Sequence, residues 1–215
     1  MQVFIYVCII IHAMGTKTSR SRAEAIFRQQ GGVLRTARAL ALGVHPRTLY
    51  ALREEGRLVE VSRGTYRLAD LPPFGEPDLI TVAIRSPQAV ICLVSALAFH
   101  EITTEIPHEV YIALPRHLRT PRLDHPPLRV FRLSGRPLVE GVETHTLDGV
   151  PVRVYSAQKT VADCFKFRNK IGLDVAVEAL RLCMDRKGSH PRDLLYYARI
   201  CRVERIMLPY LEAIG

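Results

Sequence analysis

The residues best suited to chemistry lie in the run Gly43-Val44-His45-Pro46-Arg47-Thr48-Leu49-Tyr50. Gly43 stops one short helix, Val44-His45 makes a turn, and Pro46 suits the first position of the next helix, where its missing N–H costs nothing. Two short helices joined by a tight glycine-containing turn let the second lie in the major groove of DNA. Leu49 and Leu52 lie three apart and should face the core with Val44 and Leu40. That leaves Arg47, Thr48, Tyr50, Ala51 and Glu54 nearer the outer face. Arg47 falls in the first turn of the helix, where an Arg can pair bidentately with guanine. Thr48 and Tyr50 carry hydroxyls that reach phosphates.

A β-hairpin should follow, with Leu58–Ser62 as one strand, Arg63-Gly64 as the turn and Thr65–Leu68 as the return. Arg63 at its tip is placed for a phosphate or the minor groove. Tyr66 and Leu68 are expected to pack the hairpin onto the helices. Arg35 and Arg38, read as lying on the preceding helix, are candidates for backbone contacts. The candidate DNA-contacting set is therefore Arg35, Arg38, Pro46, Arg47, Thr48, Tyr50, Arg63 and Gly64. An ordinary helical hairpin with a solvated charged face would use the same residue types, and the following hairpin argues against it.

The charge distribution supports a polyanionic partner. The chain has 215 residues and a net charge of +9. Lys17 to Ala69 holds eleven Lys and Arg against four Glu, a net of +7, so the remainder contributes only +2. An excess concentrated in about 50 residues reads as a binding surface, although a solvated basic face is its plain alternative.

Other chemistry finds little support. No Gly-rich phosphate loop, HExxH or GxSxG occurs. His100, Glu101, Glu105 and His108 cluster, but their spacing does not put two His on one helical turn. Lys159 and Asp163 are four apart on a helix and could pair structurally. Ser134-Gly135 lacks the nearby paired carboxylates that a nucleotidyltransferase needs for metal ions. No catalytic residue, metal ligand or cofactor is assigned. Cys8, Cys92, Cys164, Cys183 and Cys201 form no CxxC pair and mostly sit among apolar neighbours, as reduced core thiols of a cytosolic protein do.

These pieces give four segments. Residues 1–18 form an extension containing the apolar run Val3–Ile11, too short to span a bilayer and lacking a basic leader; translation is expected to begin at Met14, with a membrane anchor as the alternative. Residues 19–69 form the basic module, opened by a helix from Arg22 to Gln30 and a second capped by Thr36, with Ala39, Leu40 and Leu42 as its apolar set. Residues 70–77, DLPPFGEP, read as a linker. Residues 78–215 form a second domain, with helices at Leu79–Ile84 and Cys92–His100, and strands at Glu109–Leu114, Leu128–Leu133, Val142–Leu147 and Val152–Tyr155. Helices then run through Ala157–Arg168, Leu173–Arg186, Pro191–Cys201 and Val203–Ala213, with Ser156 as an N-cap. Strands followed by helices imply an α+β fold, here a winged helix-turn-helix followed by a mixed domain.

The stretch GVHPRTLYALREEGRLVEVSRGTYRL closely resembles the N-terminal domain of AbiEi-type antitoxins, transcriptional regulators of bacterial abortive-infection systems. SALAFHEIT at Ser95–Thr103, PHEVYIALP at Pro107–Pro115 and VPVRVYSAQKTVADCFKFRNKIGLDVAVEAL at Val150–Leu180 resemble the second domain of the same family. The resemblance implies a non-enzymatic cytoplasmic regulator that binds inverted repeats in its own promoter as double-stranded DNA. It also implies the antitoxin of a type IV system, counteracting a neighbouring nucleotidyltransferase-type toxin without a stable complex. The basic residues Lys159, Lys166, Arg168 and Lys170 are the expected antitoxin surface. No membrane partner is expected. A stand-alone regulator without a toxin, MerR-like or otherwise winged, is the alternative, and a nucleotide-handling enzyme the more remote one.

Overall fold

The computed structural model describes residues 18–187 and 189–214. The apolar run Val3–Ile11, Met14 and Cys8 lie outside the described residues. The chain divides into two compact units, one comprising Met1–Pro77 with Thr146–Val150, the other Asp78–His145 with Pro151–Gly215. Helices and two sheets make it a mixed α+β protein.

In the first unit, helix α1 covers residues 18–29. Ala23 and Phe27, one turn apart, are both buried. A three-residue strand, β1 (Val33–Arg35), precedes helices α2 (Thr36–Ala41) and α3 (Pro46–Glu54). Strands β2 (Leu58–Ser62) and β3 (Thr65–Leu68) form an antiparallel hairpin, and β1 joins the other edge of β3 to give the order β1-β3-β2. Leu58 faces Leu68 in this register and both are buried, whereas Val59 on the opposite face is exposed. That alternation, with Tyr66 and Leu68 inward, packs the hairpin onto Leu49, Leu52, Ala39 and Phe27.

Strand β1 is too short to show an alternation in sequence, and its presence moves Arg35 off the helix and onto the strand end. Thr36 is the first residue of α2 rather than its cap. The N-cap is Arg35, which makes no side-chain capping bond. The Thr36 hydroxyl is instead committed to the hairpin turn, donating to the Gly64 carbonyl at 3.1 Å, where the Thr36 N–H also donates at 2.8 Å. Leu40 is 38% exposed, not part of the core, because six residues of helix bury only one stripe and Ala39 occupies it.

The stretch after Leu68 is tied to this unit. Asp70 forms an ion pair with Arg28, Arg67 donates to the Leu71 carbonyl at 3.4 Å and lies over the Phe74 ring at 4.5 Å, and Leu71 packs against the buried cluster.

The chain goes on to form α4 (Pro77–Arg85), β4 (Val90–Ile91), α5 (Leu93–Phe99), β5 (Val110–Pro115), β6 (Leu128–Leu133), α6 (Arg136–Val139), β7 (Val142–Leu147) and β8 (Val150–Tyr155), with all but Pro77 and the residues within Thr146–Val150 in the second unit. Then come α7 (Ala157–Lys166), α8 (Arg168–Ile171), α9 (Leu173–Lys187), α10 (Pro191–Cys201) and α11 (Glu204–Ile214). The sheet order is β6-β5-β4-β8-β7, with β5 parallel to β6, β4 antiparallel to β5, and β4 parallel to β8. Strand β4, two fully buried residues, leaves no periodicity to read.

Helix α7 is the hub, packed by α5, α9, α10 and α11. Ser156 caps it, accepting from the Lys159 N–H at 3.3 Å. Cys92, Cys164, Cys183 and Cys201 are all buried, with none in a disulfide among the described residues. Burial, with Asp163 nearby, raises the Cys92 and Cys164 thiol pKa values, and raises that of Cys201 to about 12. Among the described residues no helix is long and apolar enough to cross a membrane.

Candidate nucleic-acid interface

Helix α3 is locked from its N-terminus. His45 is its N-cap, and His45 Nδ1 accepts from the Arg47 N–H at 3.2 Å, with Pro46 in the first turn. Imidazole caps are less common than hydroxyl or carboxamide caps, so the residue type alone does not show this role. Leu49 and Leu52 are fully buried, and Val44 supports them from the turn. Burying one Leu stabilises the helix by about 1.5–3 kcal/mol, enough to fix its rotation about its own axis.

With that face held, Arg47, Tyr50, Arg53 and Glu54 are exposed, while Thr48 and Ala51 are half-buried. Arg47, Tyr50 and Arg53 follow at three-residue steps and share one stripe. The Arg53 guanidinium lies 5.3 Å from the Tyr50 ring centroid, which pre-orders an aromatic-cationic pair on the outer face. Arg53 is absent from the set expected on sequence grounds; its i+3 spacing from Tyr50 is the signal that points to it.

The hairpin turn is also built rather than loose. Gly64 has φ +70°, a left-handed conformation that favours glycine. Its N–H donates to Glu60 Oε1 at 2.8 Å, and its carbonyl takes both bonds from Thr36. Arg63 projects at this turn and is exposed.

The basic residues of this module fall into two sets. Arg20 pairs with Glu55 at 2.7 Å, Arg57 grips the buried Glu24 at 2.7 Å, and Arg28 pairs with Asp70. Arg67 is spent on Leu71 and Phe74. Arg38, Arg47 and Arg63 have no carboxylate partner among the described residues, and the same holds for Arg53 beside Tyr50 and for Arg22 on α1. Much of the local net charge thus falls on α2, α3 and the hairpin turn.

The basic residues expected to form a surface on the second unit are not one surface. Lys159 is fully buried, with its ammonium 2.5 Å from Asp163 Oδ2 and 4.1 Å from the Tyr155 ring centroid. Asp163 also accepts from the Cys201 thiol at 3.2 Å. Helix α7 is covered on nearly every side, so its polar residues face protein, and a buried ammonium must be paired. Lys166 emerges half-buried at the end of α7, Arg168 donates to the Phe165 carbonyl at 2.9 Å, and Lys170 is exposed. His100, expected in a loose cluster, has Nε2 2.7 Å from the Tyr155 carbonyl.

Residues 21–69 match the family model described as "Transcriptional regulator, AbiEi antitoxin". This is the family that the sequence motifs resemble, and the match covers the module carrying α3 and the hairpin. No curated protein matches the chain. Among solved structures, the chain is similar to the crystal structure of the RV2827C protein from Mycobacterium tuberculosis, at 15% identity and a TM-score of 0.48, over 92% of this chain and 82% of that one.

Proposed function

We propose that the first unit is a winged helix-turn-helix that binds double-stranded DNA, and that the protein is a non-enzymatic transcriptional regulator acting in the cytoplasm on its own promoter. Helix α3 would enter the major groove with Arg47 at base edges and Thr48 and Tyr50 at phosphates. Arg63 and Gly64 form the wing tip, and Arg35 and Arg38 lie toward the backbone. Pro46 sets the start of the recognition helix. The observation that carries this reading is the segregation of cations: Arg38, Arg47 and Arg63 lack carboxylate partners among the described residues, while Arg20, Arg28 and Arg57 are neutralised. Arg residues without acidic partners on a helix, with another on an adjoining hairpin, are the footprint expected of phosphate and base contact. The family match over residues 21–69 supports the same reading.

The antitoxin role, against a neighbouring nucleotidyltransferase-type toxin and without a stable complex, rests on the resemblance and is proposed for the second unit. Lys166, Arg168 and Lys170 remain its candidate residues, and the burial of Lys159 removes it from that set.

Retardation of the DNA upstream of its own gene tests the regulatory role. Binding should weaken steeply with salt, with a log–log slope of roughly −0.9 per phosphate neutralised. Salt-independent binding, or none, contradicts it. Rescue of cells expressing the neighbouring toxin tests the second role. Rescue by a chain with Lys166, Arg168 and Lys170 all changed to Ala excludes those residues.

A further inference from the structure

A cavity of about 550 Å³ in the second unit is lined by Arg116, Ser134, Arg136, Lys166, Arg199 and Arg202. Four chain ends deliver these residues. Strands β5 and β6 are parallel and in register, with Pro115 opposite Leu133, so Arg116 and Ser134 both leave the carboxyl ends of adjacent strands. Beyond the carboxyl ends of parallel strands is where open sheets collect ligands. Lys166 closes α7, Arg199 lies in the last turn of α10, and Arg202 follows it.

Two of the five cations are neutralised, Arg136 by Glu140 at 3.2 Å and Arg199 by Glu204 at 2.7 Å. Arg116, Lys166 and Arg202 have no carboxylate partner among the described residues. Arg202 is the left-handed C-cap of α10, at φ +61°, with its N–H donating to the Arg199 carbonyl at 3.1 Å. Helix dipoles favour cations at the ends of α7 and α10, but they do not account for Arg116, which follows a strand.

We propose that this cavity binds the phosphate chain of a small polyphosphate ligand, of the nucleoside triphosphate class. Three cations without acidic partners among the described residues, around one half-open cavity, match several closely spaced phosphates better than one. The Ser134 hydroxyl adds a neutral donor. Among the described residues, only Pro137 and Ile200 offer apolar lining and no aromatic ring lines the cavity, so recognition falls on the phosphates and not on a base. The site lies wholly within the second unit and does not depend on the DNA-binding reading.

Calorimetry on the full chain with inorganic tripolyphosphate tests it. Tripolyphosphate should bind one to one, ATP and GTP should bind within about threefold of it, and orthophosphate should bind at least about tenfold more weakly. Lys166→Gln combined with Arg202→Asn should weaken tripolyphosphate at least about tenfold, since each charge-assisted hydrogen bond removed is of that order. Asn tolerates the left-handed conformation at position 202. Arg116→Gln should weaken it alone and covers the case in which the double variant melts early. Arg47→Ala with Arg63→Ala should leave tripolyphosphate binding unchanged, which separates this cavity from phosphate capture by the first unit. Absence of binding at millimolar tripolyphosphate overturns the proposal. So does unchanged affinity in the folded cavity variants, or a loss confined to binding of a non-operator DNA duplex, which would assign the cavity to a nucleic-acid backbone.

Discussion

Helix α3 carries Arg47 and Arg53, and helix α7 carries Lys159 and Lys166, in sequence two similar sets of cations spaced along a helix. The structure puts them to different use. Helix α3 buries one stripe through Leu49 and Leu52 and leaves Arg47 exposed, with no carboxylate partner among the described residues. Helix α7 is buried on nearly all sides, and Lys159 is sealed against Asp163, Tyr155 and the Cys201 network. A cation in water is available to a phosphate, whereas a cation inside protein serves only its partner. Coverage of the helix therefore decides whether a basic residue is a site or a strut.

The largest effect that separates the two helices is on stability. Asp163→Ala leaves an ammonium buried without its partner and should cost about 3–5 kcal/mol in unfolding free energy by denaturant titration. Replacing both partners, Lys159→Met with Asp163→Leu, should recover most of that loss. Equal destabilisation by the double variant would mean that the pair does more than satisfy its own charges.

Next is Arg47→Ala, expected to cost about 1–3 kcal/mol in affinity for the preferred sequence and to relax base preference, with the unfolding midpoint unchanged. Anisotropy titrations across single-base variants of the upstream DNA measure it. A uniform loss over all sequences would move Arg47 to a backbone role.

Thr36→Val removes the hydroxyl bond to the Gly64 carbonyl and should destabilise by about 0.5–1.5 kcal/mol. If the hairpin position matters to binding, affinity falls alongside. Unchanged stability would deny the Thr36–Gly64 tie.

The thiols give the smallest effect. Folded Cys201, with its pKa raised to about 12 from an ordinary 9.0, should resist iodoacetamide at pH 8 until the chain unfolds. Because the folded value is the higher one, its contribution to stability is present below pH 9.0 and lost as pH rises toward 12. Peptide mapping of alkylation follows this directly, and labelling of Cys201 as fast as a free thiol would contradict its burial.

Elements with a clear period are legible in the sequence. Leu49 and Leu52 announce α3, the Leu58–Leu68 hairpin is readable from its Arg63-Gly64 turn, and Ser156 announces α7. What escapes is short or depends on distant partners. Strands β1 and β4 have three and two residues, fewer than an alternation needs. Thr36 has the residue type of a cap, and its commitment to Gly64, 28 positions away, carries no local mark. The net +7 of the first module is visible, but not its division into paired and unpaired Arg, because Arg28–Asp70 and Arg57–Glu24 are tertiary contacts. Lys159 is misplaced for a related reason, since spacing shows the pair with Asp163 but not the helices that cover it.

The central claim is that the Arg residues of α2, α3 and the hairpin turn that lack acidic partners, and not the basic residues of the first unit at large, meet DNA. The salt dependence of affinity, measured for single variants, tests it most directly. Arg38→Ala and Arg63→Ala should each reduce the magnitude of the log–log slope, by about 1 for each phosphate no longer engaged, while Arg47→Ala, at base edges, lowers affinity with the slope little changed, and Arg20→Ala and Arg28→Ala, whose side chains are held by Glu55 and Asp70, should leave both unchanged. Equal slope reductions in all five variants, Arg20→Ala and Arg28→Ala included, would show that the module binds through its overall charge, and the assignment of an interface to α2, α3 and the hairpin turn would fail.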